Sequence, residues 1–319
     1  MMRSAPHRSE PTRRAVLGAL AAAPVALANA RAALAEAPVR HTLKHGPFEV
    51  TVISDGHLVL PARALAGNTA PAELEALLAS GGQKGEFVEP PASVTLIRTP
   101  TELICVDAGA GPNFMPTLGK LPERLEAAGI DRAAVTKVVY THCHPDHLWG
   151  TIDEFDDTPL FPKATYVLSE GEWNFWMADD VLSRLPESRQ NFAPGAQRNL
   201  TRIKERLATI KPGAEVAPGI TVLGTPGHSA GHISLELAAG NETLIVLGDA
   251  LTHPLISFGH PDWKPESDHF DADLAVATRR KLLSRLAADR ARIIGYHLPF
   301  PGLGRAEAAG QAYRFAADA

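Results

Sequence analysis

Residues 142–147 read His-Cys-His-Pro-Asp-His, which places three histidines and one aspartate within six positions. Imidazole and carboxylate groups are suitable ligands for zinc and related divalent ions. The run follows a short apolar segment typical of a strand, so we expect it to form a loop. In such a loop His142 and His144 can point toward one position. Asp146 and His147 can turn toward a second one. The run therefore predicts two neighbouring metal positions, each of which needs further ligands.

Three later residues could supply the missing ligands: His228, Asp249 and His297. A carboxylate can bridge two cations, and we assign that role to Asp249. One metal would then be held by His142, His144, His228 and Asp249, and the other by Asp146, His147, His297 and Asp249. A hydroxide held between the cations would be the nucleophile, and the catalytic role of Asp146 and Asp249 would be to fix the cations that hold it.

The candidate ligands follow predicted strands. Short apolar or alternating runs predict strands at Phe48–Ile53, Val94–Arg98, Leu103–Val106, Lys137–Tyr140, Thr165–Leu168, Ile220–Leu223, Ile233–Leu237, Leu244–Leu247 and Arg292–Tyr296. Spacing or composition predicts helices at Pro116–Ala128, Glu170–Ala178, Leu200–Ile210 and Ala272–Ala287, with start signals at Thr201 and Asp271. Polar residues at the ends of several strands predict one shared edge of an α/β fold, where loops carry the functional groups.

The first 35 residues have the pattern of an export signal. Four arginines lie within residues 1–14, and residues 15–30 are uncharged and rich in Ala, Leu and Val. Small-residue cleavage sites follow, and the run Thr12–Leu17 resembles a twin-arginine signal. The apolar stretch is short and weakly hydrophobic for a stable membrane anchor. We therefore expect a periplasmic or secreted protein with a single domain over residues 36–319. The alternative is a disordered basic tail.

Composition narrows the range of partners. The chain has 319 residues, 45% of them hydrophobic, which is enough for a large core. Its formal net charge of -5 shows no basic excess, which argues against nucleic acid as a partner. A small neutral or weakly polar substrate fits better. The two cysteines, Cys105 and Cys143, exclude a disulfide framework but allow either one bridge or two free thiols.

The order His-x-His-x-Asp-His, followed by a later His, Asp and His, resembles the signature of the metallo-β-lactamase superfamily at all seven positions. The resemblance implies a four-layer αββα sandwich with two metal ions, most commonly zinc, at one edge of its sheets. It implies that Asp107 orients the metal-binding loops and that His232 makes a structural hydrogen bond. A single histidine is more often structural than a ligand, but seven matching positions favour ligation. The di-iron, oxygen-reducing branch generally has a carboxylate where His144 stands, so this histidine favours hydrolysis over redox chemistry.

The C-terminal stretch His297–Gly304, together with Tyr313–Phe315, resembles the methyl parathion hydrolase-like branch, which includes lactone-hydrolysing relatives. That resemblance implies a homodimer and a substrate pocket with aromatic walls. The matching residues are Phe114, Trp176 and Phe192, and we add Trp149, where the branch usually has glycine. Phe114, Trp176 and Phe192 could equally be core aromatics.

The sequence thus predicts an exported dinuclear metal hydrolase that acts on lactones or esters and that could also act on aryl organophosphotriesters. Hydrolysis of a β-lactam or a thioester is the alternative within the same fold. A periplasmic metal- or ligand-binding protein without catalysis is the alternative from another class, against which the full ligand set argues. A redox role with iron is a further alternative.

Overall fold

Two seven-stranded sheets form the centre of the protein in the computed structural model, which describes residues 39–153 and 155–318. The predicted export signal lies outside the described residues. Strands are numbered in chain order. The first sheet contains, from edge to edge, β1 (Arg40–His45), β2 (Phe48–His57), β5 (Pro91–Arg98), β6 (Leu103–Val106), β7 (Lys137–Val139), β10 (Thr165–Ser169) and β11 (Leu207–Ile210). Its pairings are antiparallel from β1 to β6 and parallel from β6 to β11.

The second sheet is mostly antiparallel. It contains β12 (Glu215–Ala217), β13 (Ile220–Gly224), β14 (Ile233–Ala239), β15 (Glu242–Val246), β16 (Arg292–Ile294), β17 (Leu303–Ala309) and β18 (Ala312–Ala317). Only β15 and β16 pair in parallel among these strands. Two small ribbons pair β3 (Leu60–Pro61) with β4 (Phe87–Val88) and β8 (Ile152–Asp153) with β9 (Thr158–Pro159).

The helices lie mainly on the outer faces of the sheets. They are α1 (Pro71–Ser80), α2 (Leu121–Ala127), α3 (Pro145–Leu148), α4 (Glu170–Trp176), α5 (Val181–Arg184), α6 (Phe192–Ile203), α7 (Ile256–Gly259) and α8 (Ala272–Asp289). Asp271 caps α8 by accepting a hydrogen bond from the backbone N–H of Leu274 at 2.9 Å. Within residues 39–153 and 155–318, the structure contains no helix of the length and hydrophobicity that crossing a bilayer requires.

Three hydrophobic clusters establish the layers. The inner cluster joins the two sheets through residues such as Val50, Ile104, Val222 and Leu235. A second cluster packs α2, α4 and α6 on the outside of the first sheet. A third packs Leu282, Leu283 and Leu286 of α8 on the outside of the second sheet. The order helix, sheet, sheet, helix confirms the predicted αββα sandwich, in which each sheet buries both faces.

The helix predicted at Leu200–Ile210 is wrong in its bounds. Helix α6 begins at Phe192, so Thr201 lies inside it, and Leu207–Ile210 forms the edge strand β11. Strand β11 pairs in parallel with β10, and this pairing with a distant segment prevails over the local helical spacing. The helix predicted from Pro116 begins only at Leu121. Both cysteines are buried free thiols, so the structure contains no bridge between Cys105 and Cys143.

Candidate metal centre

The seven predicted ligands meet at one edge of the sandwich. The run 142–147 comprises the loop after β7 and the start of α3. The remaining three follow strands of the second sheet: His228 after β13, Asp249 after β15 and His297 after β16. All seven side chains are buried, with at most 7% of any residue's surface exposed. The two sheets thus bring together residues that lie up to 155 positions apart in the sequence.

Ligand atoms converge within 4.8 Å in two groups that share no residue and in a third that overlaps both. The first group is His142, His144 and His228, the second is Asp146, His147 and His297, and the overlapping group is His142, His147 and Asp249. In the first group, Nε2 of His228 lies 2.9 Å from Nδ1 of His144. In the second, Nε2 of His297 lies 3.2 Å from Oδ2 of Asp146. Two ligands of one tetrahedral zinc ion are expected about 3.3 Å apart. Both groups therefore have the compactness of a cation site.

Asp249 contacts both groups. Its Oδ2 atom lies 3.3 Å from Nε2 of His228 and 3.2 Å from Nε2 of His297. Its Oδ1 atom lies 3.2 Å from Nε2 of His147. One carboxylate thus faces a histidine of the first group and two histidines of the second, which is the position that a bridging ligand requires.

Unpaired buried atoms indicate what the cluster could hold. Within the described part of the chain, Nε2 of His142, His144 and His147 and Oδ1 of Asp249 are buried without a hydrogen-bond partner. Buried polar atoms rarely stay unpaired, because desolvation without a compensating bond costs free energy. Neutral imidazole and carboxylate donors suit divalent metals such as zinc. The residues present therefore fit two divalent cations.

Several histidines are oriented through the ring nitrogen that faces away from the cluster. Nδ1 of His147 lies 2.8 Å from Asp107 Oδ2, and Nδ1 of His297 lies 2.7 Å from the carbonyl of Pro91. Nδ1 of His228 lies 3.0 Å from Asp268 Oδ1. Such contacts fix the tautomer and the ring orientation, which leaves Nε2 free to bind a metal.

Asp107 connects the first sheet with the ligand loop. Its carboxylate accepts hydrogen bonds from the backbone N–H of Thr141 at 2.7 Å and from the Thr141 hydroxyl at 2.9 Å, in addition to contacting His147. Asp107 adopts a φ of 65°, a left-handed conformation that few residues other than glycine occupy. This backbone conformation at the end of β6 directs the carboxylate toward residues 141–147. Its position agrees with the orienting role that the sequence predicts.

His232 supports the bridging aspartate through the backbone. Its Nε2 atom accepts a hydrogen bond from the N–H of Asp249 at 2.9 Å, and its Nδ1 atom lies 2.8 Å from the hydroxyl of Thr225. Burial lowers the pKa of His232 to about 3, so the ring is neutral and can accept this bond. Gly248 precedes Asp249 with a φ of 55°, and a Cβ atom there would lie 2.8 Å from His232 Nε2. Only glycine fits at this position.

Glu172, which the sequence does not single out, joins the two loops that carry the first group of histidines. Its Oε1 atom accepts from the hydroxyl of Ser229 at 2.6 Å and from the N–H of Gly231 at 2.7 Å. Its Oε2 atom accepts from the N–H of Cys143 at 3.0 Å and from the indole of Trp176 at 2.8 Å. This fully buried carboxylate holds residues adjoining His142, His144 and His228 in register.

The sequence also does not single out Asp268 and Arg279. Asp268 accepts from Arg279 while it contacts His228, and the guanidinium of Arg279 also donates to the carbonyls of Pro261 and Trp263. Burial alone would raise the pKa of Asp268, but the hydrogen bond from His228 and the charge of Arg279 lower it. Asp268 therefore stays ionised and keeps the His228 ring oriented. The only local signal for Asp268 is its place before the Asp271 helix cap.

The electrostatics of the two groups differ. Burial lowers the pKa of His142 and of His144 well below the usual value, so both are neutral, which is the form that binds metals. Burial would also lower the pKa of His297, but Asp249 and Asp146 raise it to about 10. The histidines in turn hold the pKa of Asp249 well below its usual value, although burial opposes this. The second group and Asp249 therefore stabilise positive charge.

A largely apolar cavity of ≈ 270 Å³ opens onto the cluster. His144, Asp146, His228, Asp249 and His297 contribute to its wall. Its apolar lining includes Leu58, Leu60, Leu65, Met115, Phe114 and Phe192. A mostly hydrophobic cavity with a few convergent polar groups is typical of a small-molecule site.

The structure places the four aromatic residues predicted for the substrate pocket in two different positions relative to the cavity. Phe114 and Phe192 line the cavity, whereas Trp149 and Trp176 are not among the described residues that line it. Trp149 packs edge-on behind Phe114, with ring centroids 5.7 Å apart. Trp176 is fully buried and donates its indole N–H to Glu172. Trp149 and Trp176 therefore support the cavity wall from behind. The local sequence could not predict this, because it does not show which side of an aromatic cluster faces the cavity.

The loop that carries Phe114 is fixed by Asp55. The Asp55 carboxylate accepts hydrogen bonds from the backbone N–H groups of Ala110 at 2.8 Å, Gly119 at 3.2 Å and Leu121 at 2.7 Å. Burial raises its pKa to about 6, although these bonds oppose the shift. Both ends of the loop are thus anchored to one side chain of β2, which gives the aromatic wall a rigid base.

Comparison with known proteins identifies the family. The sequence pattern described as the metallo-beta-lactamase superfamily matches residues 88–291. The chain belongs to this superfamily. The matched range contains six of the seven clustered residues and ends before His297.

Two solved structures of this superfamily resemble the chain along most of its length. AidC, a dizinc quorum-quenching lactonase solved with a homoserine product, is 27% identical with a TM-score of 0.82, over 88% of this chain and 97% of AidC. The hydrolase AbOPH is 26% identical with a TM-score of 0.83, over 89% of this chain and 99% of AbOPH. These similarities support a metal-dependent hydrolase.

Two curated relatives match a smaller part of this chain. Metallo-beta-lactamase domain-containing protein 1 of Xenopus laevis is 28% identical over 189 residues, which are 58% of this chain and 63% of the frog protein. The chain therefore spans less than two thirds of that relative. A probable metallo-hydrolase of Mycobacterium bovis is 24% identical over 235 residues, which are 64% of this chain and 69% of the relative.

Proposed function

We propose that the protein is a dinuclear metal hydrolase that opens lactones or cleaves related esters. The observation that carries this proposal is the position of Asp249, which faces both ligand groups at the wall of an apolar cavity. A substrate in this cavity would reach both cation positions at once. The similarity to AidC, a dizinc lactonase, supports the same assignment. Zinc is the metal that suits the donor set best.

Two divalent cations supply, when bound, a water of lowered pKa and a stabilising charge for the oxyanion that forms during hydrolysis. The chain provides rigidity and exclusion of water. Asp107, Asp268 and the Pro91 carbonyl hold the histidine rings, so little reorganisation is needed. Phe114 and Phe192 offer apolar surface to the acyl or aromatic part of the substrate. Cys143 is fully buried and is not among the described residues that line the cavity, so it is not placed to act as a nucleophile.

A substrate panel tests this function. Zinc-loaded protein is assayed with dihydrocoumarin, N-hexanoyl-homoserine lactone and methyl paraoxon, and with nitrocefin and S-lactoylglutathione for the β-lactam and thioester alternatives. We expect turnover of at least one lactone about 100-fold or more above that of a His144→Ala variant. His41→Ala, in the edge strand β1, is the matched control and should retain full activity. Equal rates for the wild type and His144→Ala on every substrate would exclude metal-dependent hydrolysis.

We propose two further properties that concern the whole chain. Residues 1–35 would direct export, in accordance with their arginines, apolar run and small-residue cleavage sites. The protein would act as a homodimer, as the lactonase-like branch implies. Fractionation of expressing cells and light scattering of the purified protein test these two properties separately.

A further inference from the structure

Arg189 places a positive charge on the wall of the candidate active-site cavity. The residue lies in the turn before α6 and lines the cavity together with His144 and Asp146. The backbone N–H of Arg189 donates to the carbonyl of Pro186 at 2.8 Å, which fixes the start of its side chain. Arg189 is partly buried, so its guanidinium has lost part of its hydration. The other residues of this wall are mainly aliphatic or aromatic.

An aromatic surface holds the guanidinium in position. The Arg189 guanidinium carbon lies 5.1 Å from the ring centroid of Phe192, a cation–π distance. Phe192 in turn packs edge-on against Phe114 and Trp149, with centroids 6.1 and 6.4 Å apart. Phe192 therefore supports the guanidinium directly, and Phe114 and Trp149 support Phe192.

Among the described residues, the other buried or partly buried arginines each have an oxygen acceptor, either a carboxylate or a backbone carbonyl, whereas Arg189 has none. Arg279 pairs with Asp268 and Arg285 with Glu236. In the described ranges, 39–153 and 155–318, no hydrogen bond or ion pair involves the guanidinium of Arg189. Burial lowers the pKa of Arg189 from its usual value, and the more distant charges of Asp146 and Glu266 oppose this effect. The side chain stays cationic without a protein acceptor for its five N–H donors.

We propose that Arg189 binds an anionic group of the substrate, so that the protein prefers lactones and esters that carry a carboxylate remote from the scissile bond. This inference rests on the proposed hydrolase function and narrows its substrate class. A desolvated guanidinium that forms a forked pair with a carboxylate regains the hydrogen bonds that burial removed. The net charge of -5 for the whole chain favours a neutral substrate. A substrate in the cavity lies next to Arg189, however, so the charge of this side chain affects its binding more than the net charge does.

The proposal gives the cavity two recognition elements. The cation cluster receives the carbonyl that is hydrolysed, and Arg189 receives the anionic end of the same molecule. The apolar surface of Leu58, Leu60 and Phe114 receives the chain between them. An uncharged substrate of the same length would gain no ion pair with Arg189 and would bind through the apolar surface and the cation cluster alone.

A matched pair of esters tests this preference. 4-Nitrophenyl pentanoate and mono-4-nitrophenyl glutarate have the same leaving group and acyl length, and they differ in a terminal methyl or carboxylate. For the zinc-loaded wild-type protein, we expect the KM for the glutarate ester to be about tenfold or more below the KM for the pentanoate ester. Arg189→Met should lose that advantage through KM rather than kcat and leave the pentanoate ester unchanged. Arg189→Lys should retain part of it, since it keeps the charge but not the fork.

Equilibrium binding separates this inference from the catalytic proposal. Glutaric acid monoanilide and pentanoic acid anilide are amide analogues of the two esters, and their affinity is measured by calorimetry with full-length, zinc-loaded protein. The anionic amide should bind the wild type about tenfold or more tightly than it binds Arg189→Met. The neutral amide should bind both proteins equally. Arg184→Met removes an exposed charge paired with Asp180 and should match the wild type.

The outcomes are distinct. If neither ester is hydrolysed but the anionic amide binds through Arg189, the catalytic proposal fails and the inference stands. If both esters are hydrolysed and Arg189→Met changes neither the ester preference nor the amide affinities, the inference is overturned and the hydrolase stands. If Arg189→Met weakened the binding of the neutral and the anionic compounds equally, Arg189 would have a structural role, and the inference would also be overturned.

Discussion

Glu172 shows how much of the site depends on one residue outside the ligand set. Its four hydrogen bonds join the loop after β7 to the loop after β13, and each loop carries ligands of the first histidine group. A carboxylate can accept all four bonds because both oxygens are acceptors. An amide would present an NH₂ group to two of these donors, although it has almost the same shape.

Glu172→Gln should therefore weaken both the fold and metal binding. We expect a loss of about 2–4 kcal/mol in the free energy of unfolding, because two buried donors lose their acceptor. Zinc affinity should fall about 10- to 100-fold, as for other residues that orient ligands. Urea unfolding and competition with a chromogenic chelator measure the two effects.

Glu170→Gln is the matched control on the same helix. Glu170 is partly exposed and pairs with Lys211 at 3.3 Å, so its replacement should change stability by about 0.5 kcal/mol or less. If Glu172→Gln and Glu170→Gln behaved alike, the joining role of Glu172 would be refuted.

Among single residues, the seven candidate ligands and two residues that support them, Asp107 and His232, could be predicted, and the other supporting residues could not. His142, His144, Asp146 and His147 lie close together in the sequence, and their spacing carries the signal. Glu172, Asp268 and Arg189 are isolated charged residues whose roles arise from contacts with distant segments. Nothing in their local sequence distinguishes them from ordinary surface charges.

Among the elements, strands with strong apolar patterns could be predicted and Ala-rich or edge strands could not. Leu103–Val106 has the predicted bounds, and β5, β10, β13 and β14 include the predicted runs. Strands β17 and β18 were not predicted, because six of their 13 residues are alanines, which have low β propensity. Strand β17 pairs with β16, and β17 and β18 pair with each other as a hairpin.

The short helix α7 is linked to the segment after α1 by His253. Nδ1 of His253 accepts from the backbone N–H groups of Leu255 and Ile256 at 3.3 Å, and Nε2 lies 3.2 Å from Gln83 Oε1. Burial lowers the pKa of His253 to about 4. These contacts need the neutral ring, because a protonated Nδ1 cannot accept a hydrogen bond.

His253 should make the fold sensitive to mild acid. The unfolded chain binds this proton near pH 6.5 and the folded protein only near pH 4, so stability is full above pH 6.5 and falls as the pH drops toward 4. Between pH 7 and pH 5 the loss from this residue should reach up to about 2 kcal/mol. His253→Asn keeps an acceptor near Nδ1 but has no proton to bind. Urea unfolding at both pH values should show a smaller acid loss for this variant, whereas an unchanged loss would contradict the role of His253.

At the scale of the whole molecule, the sandwich explains why the position of the candidate site could be predicted from the sequence. Strand ends of both sheets meet at one edge, and the ligands follow β7, β13, β15 and β16. The layer order follows from the family resemblance, and the three hydrophobic clusters bear it out. Which aromatic residues face the cavity could not be predicted, because that depends on how α6 packs against the loop fixed by Asp55.

Anomalous diffraction from crystals of the zinc-loaded protein, collected on both sides of the zinc absorption edge, tests the dinuclear centre most directly. Two peaks are predicted about 3.5–4 Å apart. One should lie among His142, His144 and His228, and the other among Asp146, His147 and His297, with Asp249 between them. A single peak, or peaks at other residues, would contradict the two-metal centre on which the proposed hydrolysis depends.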